Sequence, residues 1–236
     1  MNPTGPRLRA AARAGHNRGM GRALLLVLLI ALLGSPAAAD QSPRFRVMGD
    51  GVIRLKSKKT GESFAGRYRS KAGKYSQEAW KRISEVLGAP FSLEEPQVTL
   101  RLIEALAFLQ HALKTGVIEV SSGYRSPDYN RALRDKGGVV AEASLHQFGL
   151  AIDGHFLGVD PQALWRYART HKVGGAGYYG NPFVHVDVGP VRFWTQTTAN
   201  VRPGVPDHNR HAILVPEFDC YAPGETVRLR LARLTI

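Results

Sequence analysis

Apolar positions along the chain follow two periodicities, and their succession outlines the elements. Over 76–87, Trp80, Ile83 and Leu87 recur at helical spacing, with Ser76 as N-cap and Gly88 and Pro90 as the stop. A second helix is predicted over 97–114, where Leu102, Ala105, Leu106, Leu109 and Leu113 form the stripe and Gly116 ends it. Ser126-Pro127 opens a third helix, since proline at the first helical position gives up an amide that has no partner there. Asp160-Pro161 opens a fourth, in which Leu164, Tyr167 and Ala168 face inward. Strand signals fall at 51–55, 117–120, 150–155 and 183–188, the last with strict alternation, whereas the glycine-rich 174–180 reads as a loop. Segregated helices and short non-parallel strands argue for an α+β fold and against a doubly wound sheet.

The ends break this pattern. Residues 1–39 carry Arg7, Arg9, Arg13, Arg18 and Arg22 and no acid, then an apolar run over 23–33, then Ala37-Ala38-Ala39. This predicts a signal peptide cleaved after Ala39, with Met20 as an alternative start to Met1. The apolar run is short for a bilayer span, and no cysteine follows it to carry a lipid. A periplasmic or secreted protein without a stable membrane anchor is therefore expected. The main domain is placed at 40–195. Over 196–236, Pro203, Pro206, Pro216 and Pro223 interrupt the chain, and Val227, Leu229 and Leu231 alternate with Arg228 and Arg230. That segment reads as a short β extension with no assignable role.

Charge and cysteine content narrow the chemistry. The 32 Lys and Arg against 19 Asp and Glu give +13, and setting aside the five arginines of 1–39 leaves +8. Such a surface steers acidic polymers toward it. No Arg-rich helix, zinc-finger spacing or stacking motif points to a nucleic-acid partner. The lone Cys220 rules out an internal disulfide framework and a cysteine-based metal site.

The 183–188 strand places His185 and Asp187 on one face and Val184, Val186 and Val188 on the other. In 150–155, Asp153 and His155 likewise share a face, and His146 stands seven residues before Asp153, ahead of Gly149. Two imidazoles and a carboxylate, His146, Asp153 and His185, meet the needs of a catalytic zinc with one open position.

These segments carry a family resemblance. Ser122-Gly123-Tyr124-Arg125-Ser126, Ser144-x-His146-x-x-Gly149-x-Ala151-x-Asp153, Gly174-Gly175-x-Gly177-x-Tyr179 and Phe183-Val184-His185-Val186-Asp187-x-Gly189-x-x-Arg192-x-Trp194 stand in order. Together they resemble the murein endopeptidase K branch of the zinc D-Ala-D-Ala peptidases, over residues 45–195. The resemblance implies a hedgehog-type fold, a small antiparallel sheet carrying the zinc site with helices packed on it. It implies Zn2+ on His146, Asp153 and His185, and Arg125 stabilising the oxyanion. Ser144 and Tyr124 would line the substrate cleft. Many relatives in the wider superfamily place a glutamate three residues before the last ligand, where this chain has Pro182. Asp187 is the candidate general base, its alternative role being to orient a ligand imidazole; His155, on the face of Asp153, could substitute as ligand or base, with a local structural role the preferred reading. The implied substrate is the peptide stem or cross-link of peptidoglycan. The expected activity is endopeptidase cleavage of cross-links, with D,D- or L,D-carboxypeptidase action and an inactive peptidoglycan-binding protein as alternatives.

Overall fold

The structure, a computed structural model, describes residues 43–138, 140–142, 144–198 and 212–233, so the signal-peptide expectation lies outside the described residues. Among the described residues, four helices form where the capping chemistry places them. α1 (Gln77–Val86) starts on Ser76, whose side chain accepts from the Ala79 amide, and turns off at Gly88 with φ +76°. α2 (Leu100–Ala112) starts at Thr99 and not near Gln97, because the Thr99 hydroxyl accepts from the Leu102 amide. α3 (Pro127–Asp135) and α4 (Pro161–Thr170) are capped by Ser126 and Asp160, each with proline in the first turn.

Seven strands build the main sheet: β1 (Val52–Ser57), β2 (Ser63–Arg67), β3 (Ile118–Ser122), β4 (Ala151–Phe156), β5 (Gly175–Tyr178), β6 (Val184–Asp187) and β7 (Arg192–Thr195). Their order is β2-β1-β3-β4-β6-β5-β7. The expectation of a small antiparallel sheet needs correction. β1 runs parallel to β3 and β5 parallel to β7, so the sheet is mixed. The helices α1 and α2 fill the β1-to-β3 crossover, which is what makes a parallel pair possible there. The central pairs β3/β4, β4/β6 and β5/β6 are antiparallel, and these carry the candidate site.

One face of the sheet holds the core. Ile53, Ile118, Ile152, Val184 and Val186 are fully buried there, in one cluster with Leu102, Ile103, Leu106 and Leu109 of α2. Each such side chain contributes about 1.5–3 kcal/mol relative to exposure. A one-residue slip of β4 or β6 would turn the site residues into this core, so burial fixes the register as well as the stability.

The described part of the C-terminal extension is a separate antiparallel hairpin, β8 (Ala212–Pro216) with β9 (Leu229–Arg233), within the same compact unit as the rest of the described chain. Arg101 of α2 bonds the Asp219 carboxylate at 2.6 Å and the Pro216 carbonyl at 3.2 Å. Phe45 and Phe218 meet at 5.6 Å between ring centroids, and Val215 is buried. No helix of the described residues is long and apolar enough to cross a membrane.

Candidate metal centre

The register of β4 on β6 sets Asp153 opposite His185, and alternation turns both away from the core. His146 arrives from a 3₁₀ turn, Leu145–Phe148, whose cap is Ser144. That turn ends at Gly149 with φ +59°, where a Cβ would lie 1.6 Å from the Gln97 carbonyl oxygen. Only glycine fits, and it sends the chain straight into β4. The seven-residue spacing between His146 and Asp153 is thus one tight turn and the start of a strand.

The three residues converge. His185 Nδ1 lies 3.0 Å from Asp153 Oδ1 and 3.3 Å from His146 Nε2, and His146 Nε2 is 3.5 Å from Asp153 Oδ1. One ligand atom from each lies within 4.8 Å of the others. The outward nitrogens are engaged elsewhere: His146 Nδ1 with the Gly123 carbonyl at 2.7 Å, and His185 Nε2 with Asp187 Oδ2 at 3.0 Å. A carbonyl and a carboxylate accept, so each ring holds a proton on its outer nitrogen and aims the inner one at the cluster. Two imidazole lone pairs and a carboxylate oxygen facing one point repel unless a cation or a proton lies among them. The donor set therefore fits a metal ion.

In the protein alone, protons take that part. Burial disfavours charge on His185, but hydrogen bonds to Asp153 and Asp187 outweigh it and raise its pKa to about 9. Burial lowers the His146 pKa below its ordinary value, against the pull of Asp153. Burial also works against the Asp153 anion, yet the two imidazoles hold its carboxyl well below the usual range.

Arg125 donates from Nε to Ser122 Oγ (2.9 Å) and from Nη2 to Asp153 Oδ2 (2.8 Å), leaving Oδ1 for the cluster. Nη1 makes no hydrogen bond among the described residues. The bulge in β3 at Ser121 brings Ser122 opposite Asp153, and the Ser121 hydroxyl bonds the Asp153 carbonyl at 3.1 Å.

Asp187 is placed differently from the general base considered above. It is fully buried, and its oxygens accept from His185, the Gly175 and Gly189 amides and both terminal nitrogens of Arg192. Such a carboxylate has no lone pair turned to a reacting water. Ser144 is buried, and its hydroxyl accepts the His146 amide at 3.4 Å as the cap of the turn. Tyr124 is half-buried and lines a groove beside the centre. His155 packs edge-on against Phe183 at 5.8 Å and stays outside the cluster.

Three further side chains complete the surroundings. Trp194 packs on His185 with ring centroids 5.1 Å apart and donates its indole N–H to the Tyr179 hydroxyl at 2.7 Å. Arg192 balances Asp187 at 2.8 Å. Arg192, Trp194 and Tyr179 stand in the quoted motifs, but only the pairing of β7 with β5 shows what they touch.

Residues 48–194 match the family described as peptidoglycan L,D-endopeptidase MepK. The chain belongs to this family. The peptidoglycan L,D-endopeptidase MepK of Escherichia coli (strain K12) is 34% identical over 167 residues, covering 70% of this chain and 88% of that protein. The probable peptidoglycan L,D-endopeptidase MepK of Haemophilus influenzae is 31% identical over 146 residues, 61% of this chain and 78% of that protein. No solved structure matches the chain significantly. The MepK match ends at Trp194, so the β8–β9 hairpin lies beyond it.

Proposed function

We propose that this protein is an exported, zinc-dependent endopeptidase that cuts L,D-configured peptide cross-links of peptidoglycan. The observation that carries the reading is the convergence of His146 Nε2, His185 Nδ1 and Asp153 Oδ1 with both outer imidazole nitrogens held by acceptors. Membership of the MepK family supports the substrate class. His146, Asp153 and His185 would hold a zinc ion, which would supply Lewis acidity, acidifying the attacking water toward a pKa of about 7 and polarising the peptide carbonyl.

The chain's own residues supply the rest. Arg125, tied to Asp153 and Ser122, keeps Nη1 available for the oxyanion of the tetrahedral intermediate. Tyr179 accepts the indole N–H of Trp194, which leaves its phenolic proton to donate, and it sits close enough to Asp153 and Arg125 to feel both charges. Burial raises its pKa, so Tyr179 is a hydrogen-bond donor at neutral pH and not a base. Asp187 orients His185 and Ser144 supports His146. Residues 1–39 serve as the export signal, consistent with a periplasmic or secreted enzyme.

Digestion of purified sacculi followed by separation of the muropeptides tests the proposal. Loss of cross-linked dimers to monomers supports it. Release of single terminal residues would replace it with a carboxypeptidase, and unchanged muropeptides with retained binding would leave an inactive binding protein.

A further inference from the structure

A groove of about 420 Å³ lies between the β1–β2 turn, the C-terminal end of α1 and the β3–α3 connection. Part of its wall belongs to the metal centre, because Ser122 bonds Arg125 and Gly123 accepts from His146. Another part is made by Lys59 and Tyr129, neither of which the reaction described above uses. Lys59 Nζ donates to the Tyr129 hydroxyl at 3.1 Å and lies 5.0 Å from its ring centroid. An ammonium has no acceptor capacity, so the phenol accepts in this pair and keeps its own proton to give. Lys59 retains further N–H groups as well. Among the described residues the one carboxylate lining the groove, Glu85, is bonded to Arg82 at 2.6 Å, which leaves Lys59 as the wall's charge without an ion-pair partner there.

A volume of this size lies in the range of small-ligand clefts, about 300–1,000 Å³. Two adjacent groups, an ammonium with further N–H to give and a phenol that keeps its own proton, suit one chemistry, an anionic oxygen pair. We propose that Lys59 and Tyr129 form a carboxylate-binding subsite that holds an acidic group of the substrate peptide while the scissile bond lies at the metal centre. This rests on the peptidoglycan reading above, since stem peptides carry free carboxylates. The subsite sets substrate preference and takes no part in bond cleavage.

The test uses calorimetric binding of stem-peptide monomers, as free acids and as carboxamides, to the zinc-loaded mature chain. The wild type is expected to bind the acid form about tenfold more tightly than the amide, the scale of one charge-assisted hydrogen-bond pair. Lys59→Met keeps the aliphatic stem and should reduce that preference to under twofold, with Lys59→Arg restoring most of it. Tyr129→Phe should reduce it partly. Zinc content, measured on each variant, should be unchanged. A preference that persists in Lys59→Met, or a wild type that binds both forms equally or neither, overturns the subsite. Sacculus digestion by the wild type is scored separately: intact sacculi would overturn the peptidase reading, while the acid-to-amide ratio still decides the subsite.

Discussion

Asp187 and His185 set the behaviour of the centre at the scale of single residues. Asp187 holds the His185 outer nitrogen at 3.0 Å and is itself held by Arg192 and two backbone amides. In Asp187→Asn the amide nitrogen must confront one of those donors, and His185 loses its anionic acceptor. Zinc affinity should fall about 10–100-fold, read by competition with a chelator; a general base would instead lose kcat with zinc affinity intact. The His185 pKa of about 9 gives a second expectation. It lies above the unfolded value near 6.5, so its stabilising contribution is complete below that pH and is lost as pH rises through 9. His146 is shifted the other way and titrates below this window. The metal-free protein should therefore lose thermal stability between pH 6.5 and 9.5, and the zinc-loaded protein should not, since zinc requires the neutral ring. A metal-free melting temperature that stays flat across the window would refute this coupling. These side chains were legible in the sequence because alternation alone places His185 with Asp187 and Asp153 with His155. The choice between base and orienter was not, since it depends on burial and on Arg192, which period-2 patterning does not reveal.

At the scale of elements, the least legible strand is the one the site leans on most. The glycine-rich 174–180 reads as a loop, yet β5 occupies Gly175–Tyr178. Its glycines answer to tertiary contacts: a Cβ on Gly175 would stand 2.2 Å from Asp187 Oδ2, and one on Gly177 would stand 2.4 Å from Trp194 Nε1. Low strand propensity is accepted because the neighbouring strands bring a carboxylate and an indole against the backbone. The parallel pairings of β1 with β3 and β5 with β7 were hidden for a related reason, because strand direction depends on crossovers and not on local pattern. Gly177→Ala should displace Trp194 from His185. The expected cost is about 1–3 kcal/mol in urea unfolding, with a changed near-ultraviolet circular dichroism signal. Gly116→Ala, where an added methyl meets nothing within 4 Å, should stay within about 0.5 kcal/mol. Equal effects in the two variants would remove the packing explanation.

Over the whole molecule, the β8–β9 hairpin connects the part of the chain outside the family match to the turn that carries His146. It makes two kinds of contact. Asp219 accepts from Arg101 at 2.6 Å and from the Arg46 amide at 3.1 Å, both far from the centre in sequence and role. Arg230 bonds the carbonyl of Phe148, the last residue of the His146 turn, and burial lowers its pKa. The first contact fastens the hairpin; the second braces the loop that aims an imidazole. Asp219→Ala should lower stability by about 1–3 kcal/mol and leave zinc affinity unchanged, because the ligand turn keeps its brace. Arg230→Ala should lower zinc affinity about three- to tenfold, since the Phe148 carbonyl and Gly149 then move more freely beside His146. Urea unfolding and chelator competition on both variants give four numbers. If both substitutions shift stability alone, the hairpin is a fastening and nothing more; if Arg230→Ala alone weakens zinc, the extension is part of the metal centre's support.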